Sequence, residues 1–573
     1  MTSAACALPA ALMKTRTKAP AVKLLDCRRL PGPNLLWERS SVVMDLACLS
    51  GQAADIQDRL KRDITELHRH MGWHPPDFQA KARIGGFSLA FDGPVDRLYA
   101  GIALAESAWT RYNKPDEAEP LDQTLASIAE RAAEEANPAL LALQAAALER
   151  GAPFLWDDDE VSVGFGASAQ VWPSNELPPP EAIDWQRAER IPIAMITGTN
   201  GKTTTSRMCA RILRAAGHTV GLSSTEGIWL NDEMLDEGDY AGPGGARAIL
   251  RQQRATAAVL ETARGGLLRR GLGVEQADVA LLTNIAADHL GDFGSSTLQE
   301  LLEVKWIISR AVSASGKLVL NADDARLVKK AASYPGQVVW FSLDPNHPKA
   351  EFRPVDGWLV HDKDGELQQL CRIEDIPLCL GGAARHNIAN ALAAAAVCTT
   401  LGAAPKAIAA GLTGMDQEHN PGRGNLYQFK GITAFVDFAH NPHAIAAMAE
   451  LSRALPAQRR LLAFAQAGDR TDALLRECAR GAWAFQPDKI IISELPKYAR
   501  GRAHGEVFAV LQDELQRCGC DAEAIQHVET ELEALEQALA WAQPGDLLVM
   551  LILAEGEAVR DRLGQLSCDQ DRD

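Results

Sequence analysis

The sequence predicts an α/β protein of several domains, on three observations. Between about 186 and 418, short β-rich runs ("IPIAMIT", "AAVLET", "DVALLTN", "KLVLNA", "VVWFSL") alternate with helical patterns, the signature of a doubly wound sheet. After "GMDQEHNPGRGN" the alternation resumes with "ITAFVDFA", "RLLAFAQAG", "KIIISE" and "DLLVMLIL", which predicts a Rossmann-like domain over 421–573. Ahead of both, "NELPPPEAIDW" places three consecutive prolines, a stiff extended linker, after a region over 1–175 that mixes strand and helix signals. In that region "SSVVMDLACL" reads as a strand, and "AADIQDRLKRDITELHRHM" and "LDQTLASIAERAAEEANPALLALQAAALERG" read as helices. A chain of 573 residues is also too long for one core, so three domains are expected.

Composition narrows the function. The formal charge of −17 argues against a nucleic-acid partner, because affinity for a phosphate backbone needs basic surface. A small anion can still be held by a local basic site. No apolar run approaches the ~18–20 residues of a membrane span, so no membrane partner is expected. The 11 cysteines are spread thinly; Cys518 and Cys520 form the one close pair, read as reduced thiols, with a metal or redox role as the lesser alternative. At the N-terminus the basic residues follow a short apolar run, the wrong order for a secretory signal, and Met13 opens a more natural start. The expected compartment is the cytoplasm.

The chemistry-bearing stretch is "AMITGTNGKTTTSRMCARIL": strand, glycine turn, Lys-Thr-Thr, helix. Glycines let backbone N–H groups of Thr199, Asn200 and Gly201 face a phosphate, and the helix N-terminus favours negative charge. Lys202 can reach the β/γ oxygens, with Thr203 offering a hydroxyl to Mg²⁺ and Thr204 following it. The competing reading is an ordinary strand-to-helix turn. Glu261 ends a strand at the carboxyl edge of the sheet, where ligands of open α/β folds bind, and is either a metal ligand or a solvated strand end. Asn284, Asp288 and His289 follow another strand end, where His289 is a metal ligand or a structural histidine. Lys305 lies in an amphipathic helix and, taken alone, is a surface lysine. Asn387 and Asn390 share one helix face, able to read an adenine edge or to cap the helix. Arg423 and Asp437, in "PGRGN" and "VDFAHNP", suit phosphate and ribose, or plain solvation.

In this order, "GTNGKTT", the strand-end Glu, "TNIAADHL", the helical Lys, "HNIAN", "PGR" and "DFAHNP" resemble the Mur ligase superfamily over about 190–560. Within it, "EGDYAGPGGAR", "LETARGGLLRRGL", "TNIAADHLGDFG" and "RGRAHGEV" are similar to the cyanophycin synthetase branch, as are "RRLPGPNLLW" and "ALERGAPFLW…VSVGFGASAQVW" in the N-terminal region. The resemblance implies a P-loop central domain over 186–418, a Mur-type C-terminal domain over 421–573 and a cyanophycin-synthetase-like N-terminal domain over 1–175. Two departures stand out. Such synthetases carry an ATP-grasp unit between N-domain and Mur half, whereas here the chain passes from "FGASAQVW" through the proline linker to "GTNGKTT". Leu98 to Trp109 holds no histidine where some relatives have a metal-binding pair, so no hydrolytic site is expected, and Ala241 stands where a hydroxyl residue is expected.

The activity implied is ATP-dependent amide ligation: a carboxylate is phosphorylated by ATP, and an amine then displaces phosphate. By the same resemblance, Lys202 and Thr203 take phosphates and the first Mg²⁺ with Glu261, and His289 holds a second Mg²⁺. Lys305 matches the lysine that several Mur ligases carbamylate to support that metal. Asn387 and Asn390 take adenine, Arg423 phosphate and Asp437 ribose. Thr262, Arg264, His440, Asn441 and Arg502 are expected on the substrate side. The substrates implied are an amino acid, a basic one such as arginine among them, and an acceptor such as a β-aspartyl group. A homo-oligomer and a separate partner ligase are expected. The readings set against this one are a silent ATP-binding scaffold and a folylpolyglutamate-type ligase.

Overall fold

A computed structural model describes residues 22–288, 297–363 and 365–570. The chain divides into two compact units: one built from the chain up to Leu30 and from Ser40–Ala136, the other from Pro31–Arg39 and Asn137–Asp573. Residues 137–175, expected with the N-terminal domain, therefore belong to the second unit.

The first unit is a four-stranded antiparallel sheet ordered β1-β2-β4-β3, with β1 at Lys23–Leu30, β2 at Ser41–Ala47, β3 at Phe78–Arg83 and β4 at Gly86–Asp92. Its helices are α1 (Ala53–His70), α2 (Leu98–Asn113) and α3 (Leu121–Glu135). Helix α1 buries Ile56, Leu60, Ile64 and Leu67, the three-to-four spacing of one helical face. Helix α2 comes close to the sheet at Gly101, where a Cβ would stand 2.8 Å from Val42. The long alanine-rich stretch breaks into two helices at Asn137-Pro138, where Asn137 caps α4 (Pro138–Arg150) by accepting the Leu140 N–H at 2.9 Å.

In the second unit, β5 (Phe154–Trp156), β6 (Glu160–Val163) and β7 (Gln170–Pro173) form a small antiparallel sheet. It is tied to the next domain by Arg251 paired with Asp157 at 2.6 Å. An 11-stranded sheet follows, ordered β11-β10-β9-β12-β8-β13-β14-β15-β16-β17-β18. Its parallel centre holds β8 (Ile193–Thr197), β9 (Val220–Ser224), β12 (Ala257–Glu261), β13 (Ala277–Leu282), β14 (Val312–Asn321) and β15 (Gln337–Phe341). At one edge β10 (Gly227–Leu230) and β11 (Glu233–Glu237) run antiparallel; at the other, β16 (Phe352–Val355) joins β15 in parallel, and β17 (Trp358–Lys363) and β18 (Glu366–Arg372) follow antiparallel. One face carries α5 (Lys202–Ala215), α10 (Arg385–Thr400) and α11 (Pro405–Thr413); the other carries α6 (Pro243–Leu250), α7 (Arg264–Arg270), α8 (Leu298–Lys305) and α9 (Ala325–Ala331). Helix α10 is alanine-rich because it is buried along almost its whole length.

The last sheet has six strands, ordered β19-β20-β24-β21-β22-β23. They are β19 (Asn425–Phe429), β20 (Ile432–Asp437), β21 (Arg460–Phe464), β22 (Lys489–Ser493), β23 (Ile525–Val528) and β24 (Leu547–Leu551), all parallel except β19. Around them stand α12 (Pro442–Ala454), α13 (Asp472–Trp483), α14 (Glu506–Arg517), α15 (Glu531–Trp541) and α16 (Gly556–Gln570). In both large sheets a central strand ends where its neighbours' connections diverge to opposite sides, which is where open α/β sheets leave a crevice.

Candidate active site

The loop from Gly198 to Gly201 joins β8 to α5, and its shape requires both glycines. Gly198 has φ +149° and Gly201 φ +83°; a Cβ would stand 1.8 Å from Thr283 Oγ1 at the first and 2.3 Å from Asn390 Oδ1 at the second. The segment after β13 clamps this loop. Thr199 N–H donates to the Asn284 carbonyl (2.9 Å) and Asn200 N–H to Asn284 Oδ1 (3.0 Å). In return, Thr283 Oγ1 and Asn284 Nδ2 donate to the Asn200 carbonyl at 2.7 and 3.0 Å. No side chain caps the first turn of α5, which leaves its N–H groups for an anion. Lys202 leans over the loop, with Nζ 3.1 Å from the Thr199 carbonyl.

Beside the loop stands a corner suited to a divalent cation. Glu261 is 1% exposed; its Oε1 accepts the Thr203 hydroxyl at 3.3 Å, and its Oε2 is buried without a hydrogen-bond partner. Burial pushes this carboxyl up, opposed by the Lys202 charge. A buried anionic oxygen left open beside a hydroxyl fits Mg²⁺, which binds one or two protein oxygens and fills its octahedron with phosphate oxygens and water. Among the described residues no three His, Cys, Asp or Glu side chains group to hold a metal by themselves. His289 lies outside the described residues. Lys305 is no surface lysine: it is 4% exposed, and Nζ donates to the Gly198 carbonyl at 2.7 Å. Burial, with the Lys202 charge beside it, pushes its amine well below the usual lysine range.

Helix α10 of the central domain and the C-terminal domain supply the facing wall. Asn387 and Asn390 do share a face, but neither caps the helix. Asn390 Nδ2 donates to Asn387 Oδ1 (3.1 Å), and Asn387 Nδ2 to the Leu378 carbonyl (2.8 Å). Arg423 stacks on Phe438, 4.2 Å from the ring centroid, and pairs with Glu226 at 3.5 Å. Burial raises the Asp437 carboxyl to about 6 against the nearby Arg423. His440 Nε2 lies 3.4 Å from Asp288. Asn441 is spent on the phosphate loop: its Nδ2 donates to Asn200 Oδ1 (2.8 Å), while its Oδ1 accepts Asn200 Nδ2 (3.2 Å) and Ala444 N–H (3.0 Å). The substrate role expected of Asn441 is therefore replaced by a tie between domains.

These groups line one cleft of about 2070 Å³, reached by Lys202, Glu261, Arg264, Lys305, Arg423 and Asp437. The volume exceeds the ~300–1,000 Å³ of a typical single-ligand pocket, leaving room for a nucleotide and further substrates. Three expected substrate residues do not line it: Asn441, spent on the phosphate loop, Thr262 and Arg502. The Thr262 hydroxyl turns back to the Leu260 carbonyl (3.3 Å), because neighbouring strand-end residues point to opposite sides. Arg502 lies behind the cleft and grips the Gly468 and Arg470 carbonyls at 3.0 and 2.7 Å. Sequence reading also missed Arg470, whose Nη1 meets Asp288 at 2.8 Å, and Glu226, which links Arg423 to Arg207 at 2.5 Å. The strand-end rule that selected Glu261 and Asp437 points equally to "GDR" after β21.

Comparison with known proteins adds the following. Residues 196–398 match the family of the Mur ligase middle domain, and 422–551 that of the Mur ligase glutamate ligase domain. The chain is 34% identical over 419 residues to the cyanophycin synthetase of Trichormus variabilis, covering 70% of this chain and 46% of that protein. It is 28% identical over 371 residues to the UDP-N-acetylmuramoyl-L-alanyl-D-glutamate–2,6-diaminopimelate ligase of Corynebacterium efficiens, covering 62% of this chain and 68% of that one. The chain thus spans under half the length of the cyanophycin synthetase it matches. Among solved structures, E. coli FolC in complex with ADP, without folate substrate, shares the fold at TM-score 0.50 and 18% identity, covering 66% of this chain and 90% of that one.

Proposed function

Because the chain belongs to the Mur ligase family over residues 196–398 and 422–551, together more than half its length, we propose that it is an ATP-dependent amide ligase. The observation that carries the reading is the open Glu261 oxygen beside Thr203 and Lys202, facing Asp437 and Arg423 across one cleft. The N–H groups of Thr199 and Asn200 are spent on Asn284, so the uncapped first turn of α5 and Lys202 hold the β and γ phosphates, Arg423 adds a second cation, and Asp437 suits ribose hydroxyls. Thr203 and Glu261 would hold Mg²⁺, which would supply charge neutralisation at the phosphate oxygens.

A carboxylate oxygen of the acid substrate attacks the γ phosphorus, and ADP leaves. The amine then attacks the acyl carbon, loses a proton and expels phosphate, giving the amide. The protein's share is positioning and charge neutralisation, since phosphorylation supplies the leaving group. Lys305, buried and held toward its neutral form, suits the carbamylated lysine of several Mur ligases, because only a free amine adds CO₂. The similarity to cyanophycin synthetase favours an amino acid such as arginine as the amine and a β-aspartyl group as the acid. The chain runs from β7 into β8 with only a linker between, so one ligation step is proposed, the polymer requiring a separate partner ligase.

The test is ADP release with Mg²⁺-ATP over a panel of amino acids paired with aspartate, β-aspartyl peptides or glutamate, with Lys202→Ala as the blank. Turnover that needs both an acid and an amine is expected. Nucleotide binding with no turnover for any pair would overturn the ligase reading.

A further inference from the structure

We propose that Arg470 is a positioning residue for the ligation: a buried cation of the C-terminal domain that, through Asp288, holds the segment clamping the phosphate loop. The inference rests on the ligase reading only for its turnover arm.

The pair is built to be made or lost as a unit. Arg470 Nη1 lies 2.8 Å from Asp288 Oδ1, with the arginine side chain 4% and the aspartate side chain 13% exposed. His440 Nε2 approaches the other carboxylate oxygen at 3.4 Å, so two side chains of one domain converge on a single carboxylate of the other. Removing either member of a buried pair leaves an uncompensated charge, so both must stay docked or both must return to water.

Each end of this link is anchored. On the Arg470 side, Arg502 binds the Gly468 and Arg470 carbonyls and the Asp472 carboxylate (2.7 Å), fixing the loop from behind. Gly468 N–H donates to the Tyr498 carbonyl at 2.8 Å, and a Cβ on Gly468 would stand 1.9 Å from the Ala499 oxygen, so this loop has no room to shift. On the Asp288 side, the few residues back to Thr283 hold the phosphate loop: Thr283 and Asn284 bond Asn200, and Ala286 bonds Thr199 Oγ1 at 3.0 Å. Arg470 also lines the cleft, and its guanidinium is engaged by Asp288, through which it acts. The reciprocal Asn200–Asn441 amide pair ties the same loop to the same domain at a second point. The C-terminal domain therefore reaches the phosphate loop at two points, directly through Asn441 and indirectly through Asp288.

The experiment is hydrogen exchange by mass spectrometry on the full chain, comparing the parent protein with Arg470→Met, Arg470→Lys and Asp288→Asn. In Arg470→Met, amides of both 280–288 and 466–475 should exchange about tenfold faster or more. Arg470→Lys should recover part of that protection, and Asp288→Asn should loosen 466–475 from the far side. A purely local role for Arg470 would loosen 466–475 alone. Unchanged exchange at 280–288 in Arg470→Met, or at 466–475 in Asp288→Asn, overturns the proposal. If Arg470→Met unfolds globally, the Asp288→Asn and Arg470→Lys results decide. With an active acid–amine pair, Arg470→Met should lower kcat by about 30-fold, with a smaller change in KM for ATP and partial rescue in Arg470→Lys. If no pair turns over, the ligase reading fails while the exchange data still judge the link.

Discussion

Asp437 ends β20 in surroundings that oppose its charge, with burial lifting its carboxyl to about 6 although Arg423 and nearby N–H groups pull it down. A carboxyl raised in the native state holds its proton more tightly there than in the unfolded chain. Stability from this group is therefore present below the ordinary carboxylate range and falls as pH rises toward 6; above that, the half-buried charge costs on the order of 1 kcal/mol, solvent in the cleft screening part of the shift. Asp437→Asn should accordingly raise Tm at pH 7.5 and leave it nearly unchanged at pH 4. Thermal melts of both proteins at both pH values check this, and an equal offset at the two would remove ionisation as the cause. Residues such as Asp437, Glu261 and Asn284 were legible because strand ends at the carboxyl edge of a parallel sheet are where a ligand must sit. Thr262 was misread because motif proximity does not say which way a side chain turns. Arg502 was misread because its three acceptors lie on the loop behind the cleft and are brought together only by tertiary structure.

At the scale of elements, the phosphate loop is the tightest turn of the site. Gly198→Ala combines a positive φ with a Cβ that would meet Thr283 Oγ1 at 1.8 Å, and should cost roughly 2–4 kcal/mol and weaken nucleotide binding. Gly244→Ala, where nothing lies within 4 Å, is the comparison and should stay within about 0.5 kcal/mol. Denaturant titration with nucleotide-binding curves on both variants checks the pair. A loss at Gly198 no larger than at Gly244 would mean that the loop relaxes. The buried parallel strands were readable as short apolar runs bounded by turns. The hairpins were not: β11 reads "EMLDE", exposed at most positions, and carries neither an apolar run nor a clean alternation. Lys305 was also unreadable as a buried group, since an amphipathic helix ending in lysine normally places that lysine in water.

For the whole molecule, the charge of −17 sets the long-range field that anionic ligands must cross. Raising salt from about 10 to about 100 mM should therefore speed association of Mg²⁺-nucleotide roughly twofold, because screening relieves repulsion between like charges. Stopped-flow binding of a fluorescent nucleotide measures this, and a slowing with salt would show that the basic groups of the cleft dominate the approach. The division into units, unlike the fold of each large sheet, was not legible, because it depends on contacts between distant segments. Leu30 and Ser40 belong to one unit while Pro31–Arg39 between them belongs to the other, where the Pro33 carbonyl accepts the Leu272 N–H at 2.8 Å. During synthesis that segment leaves the ribosome about 240 residues before its partner. At roughly 5–20 residues per second it waits some ten to fifty seconds. Pro31–Arg39 thus cannot take its place in the second unit until that interval has passed, and any factor that shields nascent chain has that time in which to act on it.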